Sequence, residues 1–501
     1  MLFNNLSDKK VRPNLSKSLY IRGLQCYKSL WLKKHKPELR TPITPAKLAL
    51  FDKGRSVGIL AHKLYSGGKN IDDHATSFGH RFKLTEEYIK KDCKTIYEAT
   101  FQYNNITIMA DILHKTKAGW ELTEVKSSTG VKDIHIPDLA IQYYILINCG
   151  IKISKVQVAH INTSYKKGWT LNIKKLFSII DVTNKVIEYL PQIAKHLPSM
   201  RETIKNCQQP NIKIGPQCFN PYECEFKDYC WNNVPENSIF EISGMPKKKK
   251  FQLYNQNITK IENIPKDYPL TANQKIQYEV LTTKKDHIET QKIKDFIDKL
   301  SYPLYFLDFE TLQFPIPTYR NTNPYQQTPF QYSLHWLENK SDTLNHHAFL
   351  AEEGKDPRRT ISKSLIKHIP ENACILAYNA GFEKSIIRSL AVEFPIYRKK
   401  LLRLTKNVFD LSIPFEKHHI YTKEMHGSHS IKKVLPALVP KIHYSDLNIS
   451  DGESAARIYE ILHLQKDIEK KNQIRENLLE YCKLDTYAMV KILEKLQELI
   501  K

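Results

Sequence analysis

The chain has 501 residues, too many for one ordinary hydrophobic core, so two or three domains are expected. Lys and Arg number 76 against 53 Asp and Glu, which gives a formal net charge of +23. A basic excess of this size favours a polyanionic partner, most simply nucleic acid, although some proteomes are lysine-rich throughout. The longest apolar stretch, near residues 141–149, is too short and too polar to span a bilayer, so a membrane protein is not expected.

The first residues, Met-Leu-Phe-Asn-Asn-Leu-Ser, contain no basic region followed by an apolar core, so no secretory signal is expected. We therefore predict a cytoplasmic protein. Its nine cysteines should not form disulfides in that compartment, and a cluster of them is interpreted first as a metal site.

Along the chain, helical and strand-like patterns mix over residues 1–240, and Pro246 followed by four lysines predicts a boundary near residue 246. A basic helical connector is predicted over residues 241–300. From residue 301 to 501, strand patterns at 305–310, 374–378 and 407–411 alternate with helical segments that end in a long helix over 474–499. This alternation predicts an α/β fold.

The first group of candidate site residues lies on two neighbouring strands. Asp111 falls at the end of one strand, the segment 115–119 forms a turn, and Glu124 and Lys126 share one face of the next strand. The two acids would bind Mg²⁺ or Mn²⁺, and Lys126 would polarise water or a developing oxyanion. Gln142 lies on a polar stripe of a helix predicted over 137–148. A surface Glu–Lys pair on a solvated hairpin is the alternative interpretation.

Asp111, Glu124-x-Lys126 and Gln142 together resemble the PD-(D/E)xK nuclease core, and more narrowly its RecB-like branch. This resemblance implies a restriction-endonuclease-like fold for residues 1–240, with Asp111 and Glu124 as metal ligands. RecB-like nucleases often add a metal-binding histidine on a helix after a Gly-Arg segment. Here Gly54-Arg55 precedes His62, so either the site lacks that ligand or His62 reaches in from the next turn.

Three cysteines follow at even spacing, with five residues between successive members: Cys218, Cys224 and Cys230. A closed site needs a fourth thiolate, and Cys26 is the best candidate. One N-terminal cysteine plus three after the nuclease core resembles RecB-like nucleases that carry a [4Fe–4S] cluster, which would clasp the two ends of the domain together. Zinc is the chemical alternative, because it also accepts four thiolates.

Two acids interrupt the apolar strand Tyr305-Phe306-Leu307-Asp308-Phe309-Glu310-Thr311. Alternate residues of a strand share a face, so Asp308 and Glu310 point one way while Leu307 and Phe309 point into the other layer. Two adjacent carboxylates repel each other and resist burial, and a divalent cation between them is the usual resolution.

Two later segments supply further carboxylates. The strand before Asn379-Ala380-Gly381 leads through a turn into a helix whose first turn contains Glu383. Tyr481 and Asp485 are four residues apart and share one face of the last helix. Four carboxylates can hold two divalent ions roughly 3.5–4 Å apart for phosphodiester cleavage, with Tyr481 orienting the attacking water.

Asp308-Phe309-Glu310, Asn379-x-x-Phe382-Glu383 and Tyr481-x-x-x-Asp485 resemble the ordered motifs of DEDD 3′–5′ exonucleases. The resemblance implies a ribonuclease H-like fold for residues 301–501. That family usually has aspartate at the position of Glu383, and Asp410 is the candidate that would compensate for the longer side chain. The segment 426–433 is interpreted as a helix cap through Ser428 or Ser430. Its lysines could contact phosphate, and a solvated face is the favoured interpretation.

Together these resemblances match bacterial proteins that fuse a RecB-like, iron–sulfur nuclease domain to a DEDD-type exonuclease domain. They imply a metal-dependent nuclease that degrades DNA, from single-stranded ends, in repair or defence. One alternative is a nucleic-acid-binding protein in which one or both domains are inactive. A second alternative is a ribonuclease acting through the C-terminal domain.

Overall fold

The computed structural model describes residues 15–340, 342–444 and 447–501. The expectation about a secretory signal concerns residues 1–7, which lie outside this range. Backbone contacts divide the chain into two compact units. Unit 1 comprises Met1–Asn233 and Phe314–Gln326, and unit 2 comprises Val234–Gln313 and Gln327–Lys501. Both units combine helices with mixed sheets, which confirms the predicted α/β class.

Unit 1 is built on a sheet that has seven strands in its described part. The order is β2-β3-β4-β5-β6-β7, and β1 pairs with β4. The strands are β1 (Leu15–Ser16), β2 (Lys69–Asn70), β3 (Thr95–Tyr103), β4 (Ile106–Lys115), β5 (Trp120–Lys126), β6 (Ile153–Ile161) and β7 (Phe177–Asp181). Asn104 and Asn105 both have positive φ and close the β3–β4 hairpin, as asparagine favours in such turns. The predicted turn at 115–119 joins β4 to β5.

The helices of unit 1 cover this sheet and bury an apolar core with it. They are α1 (Lys17–Gln25), α2 (Tyr27–His35), α3 (Pro45–Ala61), α4 (Ile71–His74), α5 (Phe78–Lys90), α6 (His135–Asn148), α7 (Ile173–Leu176), α8 (Thr183–Lys205) and α9 (Lys227–Trp231). Helix α6 is the one predicted over 137–148, and Leu139, Ile141 and Ile145 are among its fully buried residues. The opposite polar stripe of α6 carries Gln142 toward β5.

The main sheet of unit 2 has the order β11-β10-β9-β12-β13. Strands β9, β10 and β11 are antiparallel, whereas β12 and β13 continue the sheet in parallel with β9. The strands are β8 (His287–Ile288), β9 (Leu304–Leu312), β10 (Thr328–Leu337), β11 (Asn345–Leu350), β12 (Cys374–Ala377), β13 (Val408–Asp410) and β14 (Ile420–Tyr421). Strands β8 and β14 form a separate pair.

Unit 2 contains several helices, some of which pack on the β9 sheet. They are α10 (Lys247–Asn255), α11 (Ala272–Thr283), α12 (Thr290–Ile297), α13 (Arg358–His368), α14 (Ala380–Glu393), α15 (Arg398–Leu404), α16 (Ile413–Glu416), α17 (Ile431–Leu438), α18 (Gly452–Leu462) and α19 (Ile468–Glu498). The segment predicted as a connector, 241–300, belongs to unit 2 and shares in a small apolar cluster around Ile242 and Leu253.

The two faces of β9 differ as the alternation of its residues predicts. Tyr305, Leu307 and Phe309 pack into the core with α13 and α14. The other face is polar and lies under α19, where Gln331 Nε2 donates a 2.7 Å hydrogen bond to the carbonyl of Leu478. No helix within residues 15–340, 342–444 and 447–501 is long and apolar enough to cross a membrane.

Candidate functional site

Three carboxylates of unit 2 converge on the polar face of β9. Asp308 and Glu310 project from the middle of β9, and Asp485 projects toward them from α19. One oxygen from each of the three lies within 4.8 Å of the others, and no other such group of three occurs among the described residues. Glu310 and Asp485 are more than 90% buried, at 8% and 7% exposure. A strand face and a helix face therefore place three predicted residues together.

Burial and mutual repulsion make the charged forms of these three carboxylates unfavourable. Burial and the nearby charge of Asp485 raise the pKa of Glu310 to about 8, against an ordinary value of 4.5. Burial also raises the pKa of Asp485 to about 6 and that of Asp308 well above its ordinary value, the latter with help from Asp485 and Glu310. Without a cation these carboxylates therefore bind protons more readily than free carboxyl groups do, and a bound divalent ion would replace those protons.

Two tyrosines flank Asp485. The hydroxyl of Tyr444 donates a 2.6 Å hydrogen bond to Asp485 Oδ1, and the Tyr481 hydroxyl also bonds to this carboxylate. Both hydrogen bonds lower the pKa of Asp485 against the effect of burial. Tyr481 was predicted from its spacing to Asp485, whereas Tyr444, which lies 41 positions before Asp485, was missed.

Lys432 is the cation of this site, and sequence reasoning missed it. Its Nζ lies 5.4 Å from the ring centre of Tyr444 and 5.7 Å from that of Tyr481. It donates a 2.7 Å hydrogen bond to the carbonyl of Ser450 and lowers the pKa of both Glu310 and Asp485. The prediction that Lys432 lies on a solvated face was therefore wrong, because α17 turns this side chain toward the acids.

Glu383 lies in the first turn of α14, as predicted, but outside the group of three. It is 2% exposed, and burial raises its pKa to about 8. Its Oε2 is buried and accepts no hydrogen bond from the described residues, while its charge raises the pKa of Asp308. A buried carboxylate with an unpartnered oxygen beside three others is a fourth donor for a cation.

Asp410 was suggested to compensate for Glu383 as a metal ligand, but in the structure it accepts hydrogen bonds from the backbone around the start of α14. Its carboxylate accepts hydrogen bonds from the backbone N–H groups of Asn379, Ala380 and Ser412 at 2.9–3.0 Å, and from the Ser412 hydroxyl at 2.7 Å. These bonds hold Asn379 in the left-handed conformation (φ 68°) that begins α14. Asp410 thus orients the helix that carries Glu383, and both its oxygens are engaged.

The donor set of unit 2 fits divalent cations. Asp308, Glu310, Glu383 and Asp485 offer hard carboxylate oxygens, the type that Mg²⁺ and Mn²⁺ prefer. Space beside Glu310 is kept open by Gly452 at the start of α18, where an added Cβ would lie 3.1 Å from Glu310 Oε2. Cys482 also borders the site, with its Sγ 3.8 Å from Asp308 Oδ2.

The predicted site residues of unit 1 also come together. Lys126 Nζ lies 2.7 Å from Glu124 Oε1 and 2.7 Å from Asp138 Oδ2. Gln142 Nε2 donates a 2.7 Å hydrogen bond to Glu124 Oε2. Asp111 lies beside them, and its Oδ2 accepts a 2.7 Å bond from the N–H of Val125. Sequence reasoning missed Asp138, which lies one helical turn before Gln142.

A second lysine, Lys17 at the start of α1, enters this cluster and was also missed. Its Nζ lies 2.8 Å from Glu124 Oε1 and 3.3 Å from Asp138 Oδ1. Burial would raise the pKa of Glu124, but the ammonium groups of Lys126 and Lys17 outweigh it and hold that pKa below its ordinary value. The two lysines compensate Glu124 and Asp138, so this arrangement does not fit a divalent ion unless Lys17 moves away.

The surroundings of Asp111 carry a further acid. Burial and Glu124 raise the pKa of Asp111 to about 7, and burial and Asp111 raise that of Glu98 to about 8. Glu98 has a positive φ of 57°, a strained conformation for glutamate, and lies opposite Asp111 where the β3–β4 pairing is interrupted without a change of register. His62 stacks on Tyr97 with ring centres 4.0 Å apart and is not grouped with these acids.

The four predicted cysteines line one pocket of unit 1. Cys26 lies between α1 and α2, while Cys218, Cys224 and Cys230 follow along the segment that ends in α9. Gln25 Nε2 ties the two parts together by donating to the carbonyls of Gln217 at 2.8 Å and Tyr222 at 2.7 Å. The thiols interact electrostatically with one another across the pocket.

The spacing and the pKa of these thiols help to distinguish a zinc ion from an iron–sulfur cluster as their ligand. Burial raises the pKa of Cys230 to about 11, so the thiol needs a bound cation to become a thiolate. No three of the four sulfur atoms lie within 4.8 Å of one another. A zinc ion bound by four thiolates brings the sulfurs within about 3.8 Å of each other, whereas a cluster binds each thiolate to a separate iron.

Comparison with known proteins gives a match to a family model over part of the chain and no activity. A family model described as a domain of unknown function (DUF2779) matches residues 305–430. The matched part contains Asp308, Glu310, Glu383 and Asp410, while Tyr481 and Asp485 lie beyond it.

Two curated relatives resemble part of the chain. "Uncharacterized protein MG366" of Mycoplasma genitalium is 28% identical over 231 residues, which is 42% of this chain and 34% of the relative. "Uncharacterized protein UU173" of Ureaplasma parvum is 26% identical over 236 residues, which is 42% of this chain and 33% of the relative. The chain thus spans about a third of the length of these relatives.

Proposed function

We propose that the protein is a cytoplasmic, metal-dependent nuclease that degrades DNA, and that unit 2 is its catalytic part. The observation that carries the proposal is the convergence of Asp308, Glu310 and Asp485 within 4.8 Å on a buried face. Their raised pKa values reflect burial and mutual repulsion, and a bound divalent cation would stabilise the charged form of all three carboxylates. Such a cation would activate water and stabilise the leaving oxygen of a phosphodiester.

The architecture of unit 2 supports a DEDD-type, ribonuclease H-like assignment. Its sheet has an antiparallel half and a parallel half that meet at β9, the strand that carries Asp308 and Glu310. The helix α19 places Asp485 over this strand and Tyr481 one turn earlier. In this proposal Tyr481 orients the attacking water, Tyr444 and Lys432 hold Asp485, and digestion proceeds in the 3′–5′ direction.

Unit 1 supplies the second candidate site. The bonds of Lys126 and Gln142 to Glu124, with Asp111 beside them, support a PD-(D/E)xK interpretation. Gln142 Oε1 is buried without a partner among the described residues. A substrate or a water could satisfy that oxygen. In this proposal Lys126, held charged by Glu124 and Asp138, would stabilise the developing oxyanion.

Lys17 favours a second candidate function for unit 1, that of a DNA-binding part without cleavage. Its ammonium lies where it neutralises Glu124 and Asp138, and it would compete with an added cation for both carboxylates. Lys17 and Lys126 would then contact phosphate. The two functions differ in whether the loss of Lys126 affects cleavage or only binding.

The cysteine pocket of unit 1 is proposed to hold a structural [4Fe–4S] cluster, with zinc as the alternative. The wide spacing of the thiols and their placement on the two ends of unit 1 support the cluster. An anaerobic preparation should be brown, absorb near 400 nm (a rough value) and contain iron and sulfide. Cys224→Ser should remove the colour and Cys207→Ser should keep it. A colourless protein with one zinc ion would overturn the cluster.

The nuclease proposal is tested by digestion of end-labelled single- and double-stranded DNA and RNA with Mg²⁺ or Mn²⁺. Wild type should shorten single-stranded DNA, and Asp308→Ala should not. If Lys126→Ala retains full activity, unit 1 is the DNA-binding part and unit 2 does the cutting. Faster digestion of RNA than of DNA would make the protein a ribonuclease. No digestion of any substrate with either metal would overturn the proposal.

A further inference from the structure

Unit 1 displays one tryptophan on its surface that no part of the proposed chemistry uses. Trp169 is 80% exposed, although burial of so large an apolar side chain is ordinarily favourable. Its indole is covered on one side by Arg320, whose guanidinium carbon lies 3.7 Å from the ring centre. One face of the ring thus contacts the Arg320 guanidinium, while most of the side chain is exposed to solvent.

The two segments that form this feature are fixed to each other. Lys167 donates through its N–H to the carbonyl of Thr322 at 3.0 Å, and its carbonyl accepts from the N–H of Asn321 at 2.8 Å. Its Nζ donates to the carbonyl of Thr318 at 3.0 Å. The buried hydroxyl of Tyr165 accepts a 2.9 Å bond from the N–H of Asn172 and closes the loop that carries Trp169. Trp169 therefore stands on a supported loop.

The charged residues of the two segments that form this feature have one sign. Residues 162–180 include Lys166, Lys167, Lys174 and Lys175 and contain no Asp or Glu. Residues 314–326 include Arg320 and likewise contain no acid. Lys166, Lys174 and Lys175 are exposed. A surface with cations around an exposed, preoriented aromatic ring has the two features that single-stranded nucleic acid requires, namely phosphate neutralisation and a stacking platform.

We propose that Trp169 and Arg320, with the lysines beside them, form a platform on which a base of single-stranded DNA stacks. The platform is anchored next to the candidate site of unit 1, because Tyr325, in the segment that carries Arg320, donates a hydrogen bond to the carbonyl of Ser127. Ser127 directly follows Lys126. The proposal deepens the proposed function, on which it rests for the identity of the ligand, by naming where the strand is held.

The test is binding of a labelled oligothymidylate to the full-length protein, measured by fluorescence anisotropy in an Asp308→Ala background that is not expected to cleave. Trp169→Ala should weaken binding roughly tenfold, the effect of losing one stacked base, and Trp169→Phe should retain most of the affinity. Lys166→Ala should weaken binding and reduce its salt dependence. Ile396→Ala is the matched control, since Ile396 is an equally exposed apolar residue (78%) of unit 2.

Two further readouts separate stacking from a general loss of charge or of folding. The oligonucleotide should quench less of the intrinsic fluorescence in Trp169→Phe than in the parent, and binding of blunt duplex DNA should change less than binding of the single strand. Unchanged affinity in Trp169→Ala, equal losses on duplex and single strand, or tighter binding of oligouridylate would each overturn the platform. Digestion by wild type is scored separately, so a failed platform leaves the nuclease proposal intact, and the reverse also holds.

Discussion

The hydroxyl of Tyr444 donates a 2.6 Å hydrogen bond to Oδ1 of Asp485, which lies 41 positions later in the chain. Both side chains are buried, at 8% and 7% exposure. Because the carboxylate accepts this bond in its charged form, the contact lowers the pKa of Asp485 against the larger effect of burial. A residue outside the predicted motifs thus prepares Asp485 to act as a ligand.

Replacing Tyr444 by phenylalanine should weaken metal binding. The pKa of Asp485, about 6 in the wild type, should rise, and the pH at which Mn²⁺ binding is half-maximal should rise with it. At neutral pH we expect an affinity loss of roughly 10–100-fold, as is usual for partners that orient a ligand. Titration calorimetry over a pH series measures both effects. Tyr459→Phe, another buried tyrosine with a hydrogen bond, is the control, and equal affinities in the two variants would contradict the role of Tyr444.

The stability of the metal-free protein should fall as pH rises through the neutral range. The pKa of Glu310 is about 8 in the folded protein against an ordinary 4.5, so between these values the folded state holds more protons than the unfolded chain. Stability is therefore greatest below about pH 4.5 for this group and is lost as pH approaches 8. Thermal melts of wild type and Glu310→Gln should diverge in favour of the variant as pH increases.

Added Mg²⁺ should restore the lost stability at pH 8, because the cation replaces the missing protons, and should restore less at pH 5. The comparison isolates Glu310, since Asp111 and Glu98 of unit 1 titrate alike in both proteins. Parallel curves of melting temperature against pH for wild type and Glu310→Gln would contradict the raised pKa of Glu310.

Removal of the Lys432 ammonium should destabilise the folded protein at high pH, because Lys432 compensates the negative charge of Glu310 and Asp485. Lys432→Met should lower the melting temperature at pH 8 by roughly 2–4 °C, the shift produced by about 1 kcal/mol in a unit of this size. At pH 5, where Glu310 is protonated, the loss should shrink. Lys433→Met removes the neighbouring exposed lysine and should leave both values unchanged. Identical melting temperatures for the two variants would show that Lys432 does not stabilise these acids and acts as an ordinary solvated lysine.

Lys17 should control whether unit 1 accepts a metal ion. In an Asp485→Asn background, which weakens the site of unit 2, Lys17→Ala should tighten Mn²⁺ binding by roughly tenfold or more, equivalent to about 1.4 kcal/mol of relieved competition. Lys63→Ala, at an exposed position of unit 1, should bind as the background does. A Lys17→Ala protein that gains no Mn²⁺ affinity would make unit 1 a DNA-binding part and not a second nuclease.

Local periodicity was enough to predict one half of the unit 2 site. The alternation of a strand places Asp308 and Glu310 together, and the pitch of a helix places Tyr481 one turn from Asp485. Both relationships depend only on residues close in the chain. Each strand predicted there lies within two residues of its predicted bounds, whereas the last helix begins six residues earlier than predicted.

The rest of the site could not be predicted because it depends on how distant segments fold back. Tyr444 and Lys432 reach Asp485 from other elements, and the pattern around Lys432 is that of an ordinary solvated helix. Lys17 approaches Glu124 across 107 positions of the chain. The segment Phe314–Gln326 belongs to unit 1 although both flanking strands belong to unit 2, a division that no local pattern indicates.

Degradation of a 5′-labelled single-stranded DNA with Mn²⁺, by wild type and Asp485→Asn purified in parallel, tests the central proposal most directly. Asp298→Asn, which alters an exposed acid, is the matched control. We expect wild type and Asp298→Asn to shorten the strand progressively from its 3′ end, and Asp485→Asn to do so about 10²–10³-fold more slowly. Equal rates for wild type and Asp485→Asn would contradict a catalytic site at Asp308, Glu310 and Asp485.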